Sequence, residues 1–559
     1  MKRYISLALA LLLAISSLFA LSSCNDGESV GKLPTPPVMN VEFDSISDRA
    51  DLFYAFKTPE EFIYSDENAV EIDTNVNDSA DDSAAINAAI NAASGKAVIF
   101  GSGNYTVSSS VTVPADVTVV FSAGARVTVN AGGSFDVRSE SVFAPFTQIF
   151  YGDGTVLLSA YARLEWFGGV ANNSTDNAAA FKKAFAASKT VYLANGNYRV
   201  NGSVELPDHD ISIIGAGLSS SYIISNNGGN ALFTNKTVKG DHDVHIAFLR
   251  AQTTANPSGT FLDYKGTGKV TVENVIVNWF AKTVVLENAV GSHIRACHFH
   301  VSGIGITAKS CKQTTVESTL VNDAEAFLRI DGGEDFTVLN SSGVWNHATD
   351  IEVKNFKNFD MRDSSTDLGY NAKDKPKNPY GVYFEKVDGF KMRGCWIATN
   401  GGLSGMCVDT NPGVPHILSD DDRTGIYITN SQNGLIAGNS INNHTTGVKV
   451  VNSPANAGAI VIEGNSLNGN GKATTMAGTS MPGIKCAIYC KDTANVEISM
   501  NFLNRYNSGS AFADKEMLSE GNNVNLSIVG NSFSKVTSQS QLESQNPGAK
   551  FDSNMFRIY

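Results

Sequence analysis

The sequence has few charged residues, few cysteines and, beyond its first two dozen residues, no long apolar run. Only 17% of the 559 residues are charged and 42% are hydrophobic, a balance that excludes a disordered tail and a charged helical array. Seven cysteines in so long a chain do not make a disulfide framework. The net charge of −13 is the opposite of the basic footprint of nucleic-acid-binding proteins, so we expect no nucleic-acid partner.

The first 23 residues have the pattern of a targeting segment. Two basic residues precede an apolar run over residues 5–21, and the run ends in Leu21-Ser22-Ser23-Cys24, which resembles a bacterial lipobox. The resemblance implies cleavage before Cys24 and a diacylglycerol on its thiol. We therefore expect residues 1–23 to be a lipoprotein signal peptide. The mature chain is then expected to be lipid-anchored in the outer membrane, at the cell surface or on the periplasmic face.

Residues 24–45 are polar and rich in proline, which predicts a tether. After it, one unit occurs twice: a polar cap, an alanine-rich helix, a short strand and a Gly-Asn-Tyr motif. The two motifs, at residues 103–105 and 196–198, lie 93 residues apart. Asp81-Asp82-Ser83 caps the first predicted helix, which ends near Ser94. Thr175-Asp176 caps the second, which ends near Ser188.

From about residue 244 a shorter repeat with strand-like alternation takes over. Its period near 22 residues is that of one coil of a right-handed parallel β-helix. A small or polar residue recurs once per coil, and a stacked ladder is predicted from it, with each amide bonding the backbone and the next coil. The predicted ladder positions are Asn274, Cys297, Ser318, Asp363, Cys395, Asn439, Asn465, Asn501, Asn531 and Asn554. The two cysteines are expected to act there as small buried hydrophobes.

Three motifs carry a family resemblance: Asp-Asp-Ser-Ala-Ala-Ile at residues 81–86, the two Gly-Asn-Tyr motifs, and Glu-Trp-Phe-Gly-Gly at residues 165–169. With the repeats, they resemble the pectate-lyase-like superfamily of polysaccharide lyases, family 28-type glycoside hydrolases and phage tailspikes. The resemblance covers about residues 76 to 556. It implies an all-β fold, a right-handed parallel β-helix with an N-terminal capping region that contains short helices.

The domain boundaries follow from this resemblance. Residues 46–170 are expected to hold the N-terminal cap and the first pectate-lyase-like unit. Residues 171–559 are expected to form the parallel β-helix with a catalytic groove. The oligomeric state is left open between monomer and homotrimer.

One strand per coil predicts a surface column. The strands read Gly-apolar-x-apolar, and x points outward because the two apolar residues face the core. Aromatic and cationic side chains together suit stacking on sugar faces and neutralisation of carboxylates or sulfates. The alternative is cross-strand packing without a ligand. The predicted column is Gly305, Arg329, Glu352, Tyr383, Tyr427, Lys449 and Tyr489.

Long insertions flank this column near residues 364–379 and 399–424. Such loops in a compact repeat are commonly functional, although an ordinary solvated loop is the alternative. Tyr370, Lys373 and Arg423 are predicted to join Glu352 and Tyr489 in binding an acidic polysaccharide.

The preferred activity is that of a polysaccharide lyase, in which a base removes the proton α to a uronate carboxylate and a cation stabilises the intermediate. No cofactor is required by this scheme, and Ca²⁺ replaces a side-chain cation if Asp323, Asp350 and Glu352 cluster. The predicted catalytic cations are Arg329 and Lys449, and the residues predicted to act as base or acid are Tyr383, Tyr427, His347 and His444. A lysine or arginine base is also possible in this superfamily.

Two other functions are open. A glycosidase needs two carboxylates that flank the scissile bond, and Asp350 and Asp422 stand in segments similar to parts of the family 28 motifs. That family's Gly-His-Gly and Arg-Ile-Lys segments are absent from the sequence. A lipid-anchored, non-catalytic glycan-binding adhesin fits the same features.

Overall fold

The computed structural model of the chain describes residues 69–556 with internal gaps. The gaps are residues 227, 236–240, 255–256, 301–302, 347, 369–379, 400–423, 443, 445, 455, 457, 469–485 and 505–515. The predicted signal peptide, the tether and Cys24 lie outside the described residues. Among the described helices, none is long and apolar enough to cross a membrane.

The chain visits three strand positions in turn, and each strand pairs in parallel with the strand at the same position in the next coil. We call the three faces A, B and C in the order in which the chain visits them. Partner residues in mid-helix are 22 residues apart, as for Thr319 and Ser341. The predicted parallel β-helix is confirmed.

The strands divide among the faces as follows. Face A contains Ala162–Arg163, Thr190–Leu193, Ile211–Gly215, His293–Arg295, Asp388–Arg393, Gln432–Ala437, Ile460–Glu463, Val496–Ser499, Ser527–Val529 and Lys550–Asp552. Face B contains Asn172–Asp176, Gly196–Val200, Ser221–Ser225, His298–His300, Leu320–Asn322, Ser342–Asn346, Ser365–Leu368, Trp396–Thr399, Ser440–Asn442, Ser466–Asn468, Phe502–Asn504, Ser532–Phe533 and Met555–Phe556. Face C contains Val204–Glu205, Ala231–Thr234, Thr260–Lys265, Lys282–Glu287, Tyr380–Glu385, Thr424–Thr429, Thr446–Val451, Cys486–Lys491 and Met517–Glu520.

Five long strands bend around a corner and serve two faces. Val244–Thr253 and Val270–Asn278 run from face A into face B, since they pair with strands of both. Ile304–Glu317, Ala326–Leu339 and Ile351–Arg362 run from face C into the next face A. Apolar side chains of all three faces fill the interior as one core.

The N-terminal segment adds three small parallel sheets. Their strands are Ala69–Glu71, Ala97–Phe100, Thr118–Phe121 and Val142–Phe143 in the first, Gly103–Val107, Ala125–Val129 and Phe150–Gly152 in the second, and Ser110–Val113, Ser134–Val137 and Thr155–Leu158 in the third. The described helices are α1 (Ser83–Ala92), a 3₁₀ turn (Leu164–Phe167), α2 (Ala178–Ala187) and α3 (Gln539–Gln545). The short helices of the predicted cap are therefore present.

The second helix begins later than its predicted cap. Asn177 is the N-cap residue, one position after Asp176, and its side chain makes no capping hydrogen bond. The buried side chain instead donates to the carbonyl oxygens of Val170, Thr175 and Arg199. Asn177 therefore ties the helix start to two neighbouring segments.

The Glu-Trp-Phe-Gly-Gly and Gly-Asn-Tyr motifs meet in the interior. Glu165 accepts hydrogen bonds from the Tyr198 hydroxyl and from the Ala194 amide. Burial and this carboxylate raise the pKa of Tyr198 far above its usual range. Gly168 has a φ of 91° that favours glycine. These motifs are structural.

The ladder lies at the corner between faces A and B. From Asn439 to Asn554, each amide Nδ2 donates to the Asn Oδ1 of the next coil, at 2.9 Å between Asn439 and Asn465, for example. Cys395 holds the same position, since its amide donates to Asn439 Oδ1. The Cys297 thiol donates to the backbone oxygens of Val272 and Arg295.

Three predicted ladder positions are wrong by one residue. Asn274, Ser318 and Asp363 have left-handed backbone with φ near 50°, and they lie in the turn that precedes the ladder. The ladder itself passes through Thr319, Ser341 and Ser364. The hydroxyl groups of Ser341 and Ser364 accept backbone hydrogen bonds in place of an amide oxygen. Small polar residues occupy both the turn position and the ladder position, which is why sequence alone misplaced them.

Replacement of Asn501 by alanine should lower the free energy of unfolding by roughly 2–5 kcal/mol, because each buried group left unpaired costs about 1–3 kcal/mol. The side chain bonds Asn465, Asn531 and the Ile462 carbonyl in the interior. The measurement is the urea midpoint by circular dichroism. Asn468→Ala, on the outer surface of face B, is the control and should shift it little. Equal midpoints for both variants would contradict the ladder's role.

Candidate functional site

The structure places six of the seven predicted column residues in consecutive rows of face C. Arg329 pairs with Glu352 and Glu352 with Tyr383, and the register continues through Tyr427, Lys449 and Tyr489. Gly305 is wrong as the first member. Thr307 is the partner of Arg329, because the Gly-apolar-x-apolar pattern of that coil is shifted by two residues.

The charged end of the column is a chain of ion pairs. Arg329 Nε lies 3.2 Å from Glu352 Oε2. Lys354, one column further along the strands, bridges Glu352 and Glu385, the latter at 3.8 Å. Arg329 also donates to the Thr349 carbonyl oxygen, and its side chain is only 18% exposed. The positive and negative charges at this end therefore balance one another. The Arg329 side chain is fixed by groups of the protein, namely Glu352 and the Thr349 carbonyl oxygen.

The other end is aromatic. The Tyr380 and Tyr383 rings stack with centroids 5.5 Å apart, and Tyr427 meets them edge-on at 5.0 and 5.4 Å. Lys449 Nζ lies 4.8 Å from the Tyr427 ring centroid and 5.9 Å from that of Tyr489. Half-buried tyrosines beside an ammonium group suit a sugar ring that bears a carboxylate.

Two of the tyrosine hydroxyls are bonded to carboxylates. Tyr383 donates to Glu385 at 3.3 Å and Tyr489 donates to Glu520 at 2.8 Å. Burial, with the nearby carboxylate, raises the pKa of both phenols above their usual range. They stay protonated at neutral pH, so they are poor bases. Tyr489 is 2% exposed, which leaves it little surface for the predicted substrate contact.

Two other predicted residues lie in the interior. Asp350 is fully buried, and its Oδ1 accepts from the Phe327 amide and from Asn346 Nδ2. Burial raises its pKa to about 7, and Asp367 adds to the shift. His444 is 1% exposed, with Nε2 against the Ile397 carbonyl oxygen at 3.3 Å. Neither side chain faces the outer surface of the column.

Five predicted site residues lie outside the described residues: His347, Tyr370, Lys373, Asp422 and Arg423. Within the described ranges, no group of three or more His, Cys, Asp or Glu side chains is arranged to hold a metal ion. Ca²⁺ at Asp323, Asp350 and Glu352 stays a prediction.

Sequence reasoning missed a polar cluster on face B. His298 and His300 project from one strand, Asn322 from the next, and Asp323 follows in the turn. Asn322 Oδ1 lies 2.7 Å from His298 Nε2 and 3.1 Å from His300 Nδ1. The Asn322 amide donates to Asp323 Oδ2 at 2.8 Å. The available signal was His-Phe-His, in which alternation places both imidazoles on one face of a strand.

The cluster continues toward the N-terminus of face B. Asn278 pairs in register with His300. With its amide oxygen facing Arg250, it accepts from Arg250 Nη2 at 2.6 Å and from Nε at 3.2 Å. Arg250 also covers the Tyr222 ring, 5.1 Å from its centroid. Imidazole, guanidinium and phenol groups thus occupy neighbouring rows of one face.

Comparison with known families supports the expected resemblance. Residues 165–349 match the family model described as rhamnogalacturonase A/epimerase, pectate lyase-like. The predicted resemblance to the pectate-lyase-like superfamily is confirmed, and the matched segment contains the whole face B cluster. No curated protein matches the chain.

Solved structures are similar to the chain at low identity and with TM-scores below 0.5. The A-module of mannuronan C-5 epimerase AlgE6 from Azotobacter vinelandii is 14% identical, with a TM-score of 0.43, over 71% of this chain and 100% of that one. The N-terminal fragment of gene product 12 of bacteriophage Phi29 is 13% identical, with a TM-score of 0.44, over 66% and 75%. The catalytic unit of the GH87 α-1,3-glucanase of Streptomyces thermodiastaticus is 11% identical, with a TM-score of 0.29, over 65% and 68%. Likenesses this distant do not extend to activity.

The buried Asp350 generates a pH prediction. Its raised folded-state pKa means that the folded protein keeps a proton that the unfolded chain has lost, so stability falls as pH rises from about 4 to about 7. The difference of roughly three pKa units corresponds to about 4 kcal/mol. Asp350→Asn should therefore gain stability relative to the wild type between pH 5 and pH 8, measured by urea midpoints. A gap that does not change with pH would refute a protonated Asp350.

Proposed function

We propose that this protein is a polysaccharide lyase that cleaves an anionic, uronate-containing glycan by β-elimination, with the glycan bound along the face C column. The matched family model is described as rhamnogalacturonase A/epimerase, pectate lyase-like, which supports a carbohydrate-active enzyme as the broader class. The observation that carries the substrate class is the group Tyr380, Tyr383, Tyr427 and Lys449 on one exposed sheet.

The dimensions of the column suit an oligosaccharide. Rows of a parallel sheet lie about 4.8 Å apart, so the five rows from Arg329 to Lys449 span about 20 Å, the length of a few sugar rings. Tyrosine rings supply stacking area, and Lys449 supplies the charge that a uronate carboxylate needs. The column therefore acts as a binding surface that orients the glycan.

Elimination fits the described carboxylates better than hydrolysis. Glu352 and Glu385 are engaged by Arg329 and Lys354, and Asp350 is buried. A glycosidase requires two carboxylates that reach the scissile bond. An elimination requires one base and one cation, and the ammonium group of Lys449 beside Tyr427 supports the cation.

Truncation of Tyr427 tests the binding surface. Tyr427→Ala should raise KM for the best substrate of a panel of pectins, alginates and glycosaminoglycans, because it removes the ring that contacts Tyr383 and Lys449. Stacking of this kind contributes about 0.5–1.5 kcal/mol, or roughly 2–10-fold. The assay follows the ultraviolet absorbance of unsaturated sugar ends.

Tyr427→Phe is the matched control, since it keeps the ring and loses only the hydroxyl group, and its KM should stay near that of the wild type. Equal KM values for the wild type and Tyr427→Ala would place glycan binding elsewhere. Reducing ends without ultraviolet absorbance in the wild type would favour the hydrolase. Glycan binding without new ends of either kind would favour the adhesin.

The cellular location is part of the proposal. The lipobox-like Leu-Ser-Ser-Cys segment at residues 21–24 supports anchoring of the mature chain to the outer membrane through lipid on Cys24.

Cys24→Ala should abolish metabolic labelling by a fatty acid and leave the precursor unprocessed or release the protein from the membrane fraction. A neighbouring Ser22→Ala variant serves as the control and should be labelled normally. Unchanged labelling and fractionation of Cys24→Ala would contradict the anchor.

A further inference from the structure

The face B cluster fixes the orientation of two imidazoles. The Asn322 amide nitrogen donates to Asp323 Oδ2, so the amide oxygen must be the atom that faces both rings. An amide oxygen accepts only, and each ring therefore presents an N–H to it. His298 carries its proton on Nε2 and His300 carries its proton on Nδ1. In the neutral form of each ring, the nitrogens that can accept a proton are then His298 Nδ1 and His300 Nε2.

These two nitrogens have no hydrogen-bond partner among the described residues, and the side chains of His300 and Asp323 are 39% and 40% exposed. Neutral histidine is the strongest base that a protein holds ready at neutral pH without a special environment. An outward imidazole whose tautomer is fixed by an Asn–Asp pair is arranged like a general base with its orienting groups.

A cation lies on the same face. Arg250 is two rows before His298 in one column, through Ile276, which corresponds to about 10 Å. Asn278 and Tyr222 hold its guanidinium. Arginine has five N–H donors in a planar fork, so contacts to one amide oxygen leave donors for a carboxylate.

From this arrangement we propose that His300 is the general base for a uronate residue whose carboxylate is bound by Arg250, with Asn322 and Asp323 as positioning residues. This inference rests on the proposed lyase function and names its proton-transfer centre. It assigns the proton transfer to a histidine of face B instead of to the tyrosines of face C.

The step balances within the cluster and the substrate. His300 Nε2 takes the proton from the carbon α to the carboxylate, and the C–H electron pair moves into the carboxylate group. That pair then forms the C=C bond as the bond to the glycosidic oxygen breaks. The leaving oxygen takes the proton back from the His300 imidazolium, so the ring ends neutral. Arg250 stabilises the charge that accumulates on the carboxylate in between.

The cluster adjoins the proposed binding column. Asp323 begins the three-residue turn between the face B strand Leu320–Asn322 and the strand that carries Arg329. Arg329 is six positions after Asp323, so their Cα atoms are at most about 20 Å apart. Tyr383 lies two rows beyond Arg329, about 10 Å further, so a glycan that contacts both groups spans at most about 30 Å.

Kinetics of the full-length chain test the base. His300→Gln should lower kcat by about 10²- to 10⁴-fold with little change in KM, measured on the panel polysaccharide that gives the wild type its highest rate. Arg250→Lys, which keeps the charge but loses the planar fork, should raise KM. His245→Gln is the control: His245 bonds Glu273 on face A, outside the cluster, and the variant should keep the wild-type rate.

Nitrogen-15 NMR of the histidine rings tests the positioning residues independently of rate. The wild type should show His300 protonated on Nδ1, and Asn322→Ala should shift it toward the Nε2–H form while lowering kcat more than it raises KM. A wild-type His300 with its proton on Nε2 overturns the assignment.

These experiments distinguish a wrong assignment of the base from a wrong proposal of the lyase function. If the wild type makes unsaturated ends and His300→Gln makes them equally fast, the inference fails and the lyase function stands. If the wild type makes none on any glycan of the panel, both fail.

Discussion

The hydrogen bonds between successive coils are the constraint on which everything else depends. In the part of the chain that the structure describes, a coil does not bury its apolar side chains alone, because it is a single turn with one strand segment on each face. Stacking of successive coils gives the strands their hydrogen-bonding partners and covers each layer of the core with the next layer. The ladder from Asn439 to Asn554 adds buried amide bonds at the corner between faces A and B. Register is thereby fixed along the whole axis.

Fixed register turns distant residues into neighbours. Tyr383 and Tyr427 are 44 residues apart in sequence and directly opposed in the sheet. Between them the chain passes through the face A strand Asp388–Arg393 and the face B strand Trp396–Thr399. The insertion predicted near residues 399–424 then follows, between face B and face C in chain order. Loop entropy rises slowly with length, so such insertions are tolerated as long as the rows on either side stay paired. The same corner separates the tyrosine column from the histidine cluster, and the proposed activity uses both sides of it.

The sequence was sufficient for the fold and for six column residues, because the period near 22 and the apolar alternation repeat many times. It misplaced Gly305 and three ladder residues by one or two positions, because the repeating pattern of a coil matches about equally well after a shift of one or two residues. Burial was the larger failure: Asp350 and His444 have polar side chains that face inward, where each bonds a backbone group of another coil. The face B cluster was missed because Asn322 and Asp323 belong to the coil after His298 and His300, and only pairing in three dimensions brings them together.

The central claim is that this surface eliminates and does not hydrolyse. Mass spectrometry of the products made by the wild type from a defined oligouronate tests it most directly. We predict that the two fragments together have the mass of the substrate, with one unsaturated end. Fragments that together weigh one water molecule more, with no unsaturated end, would contradict the account.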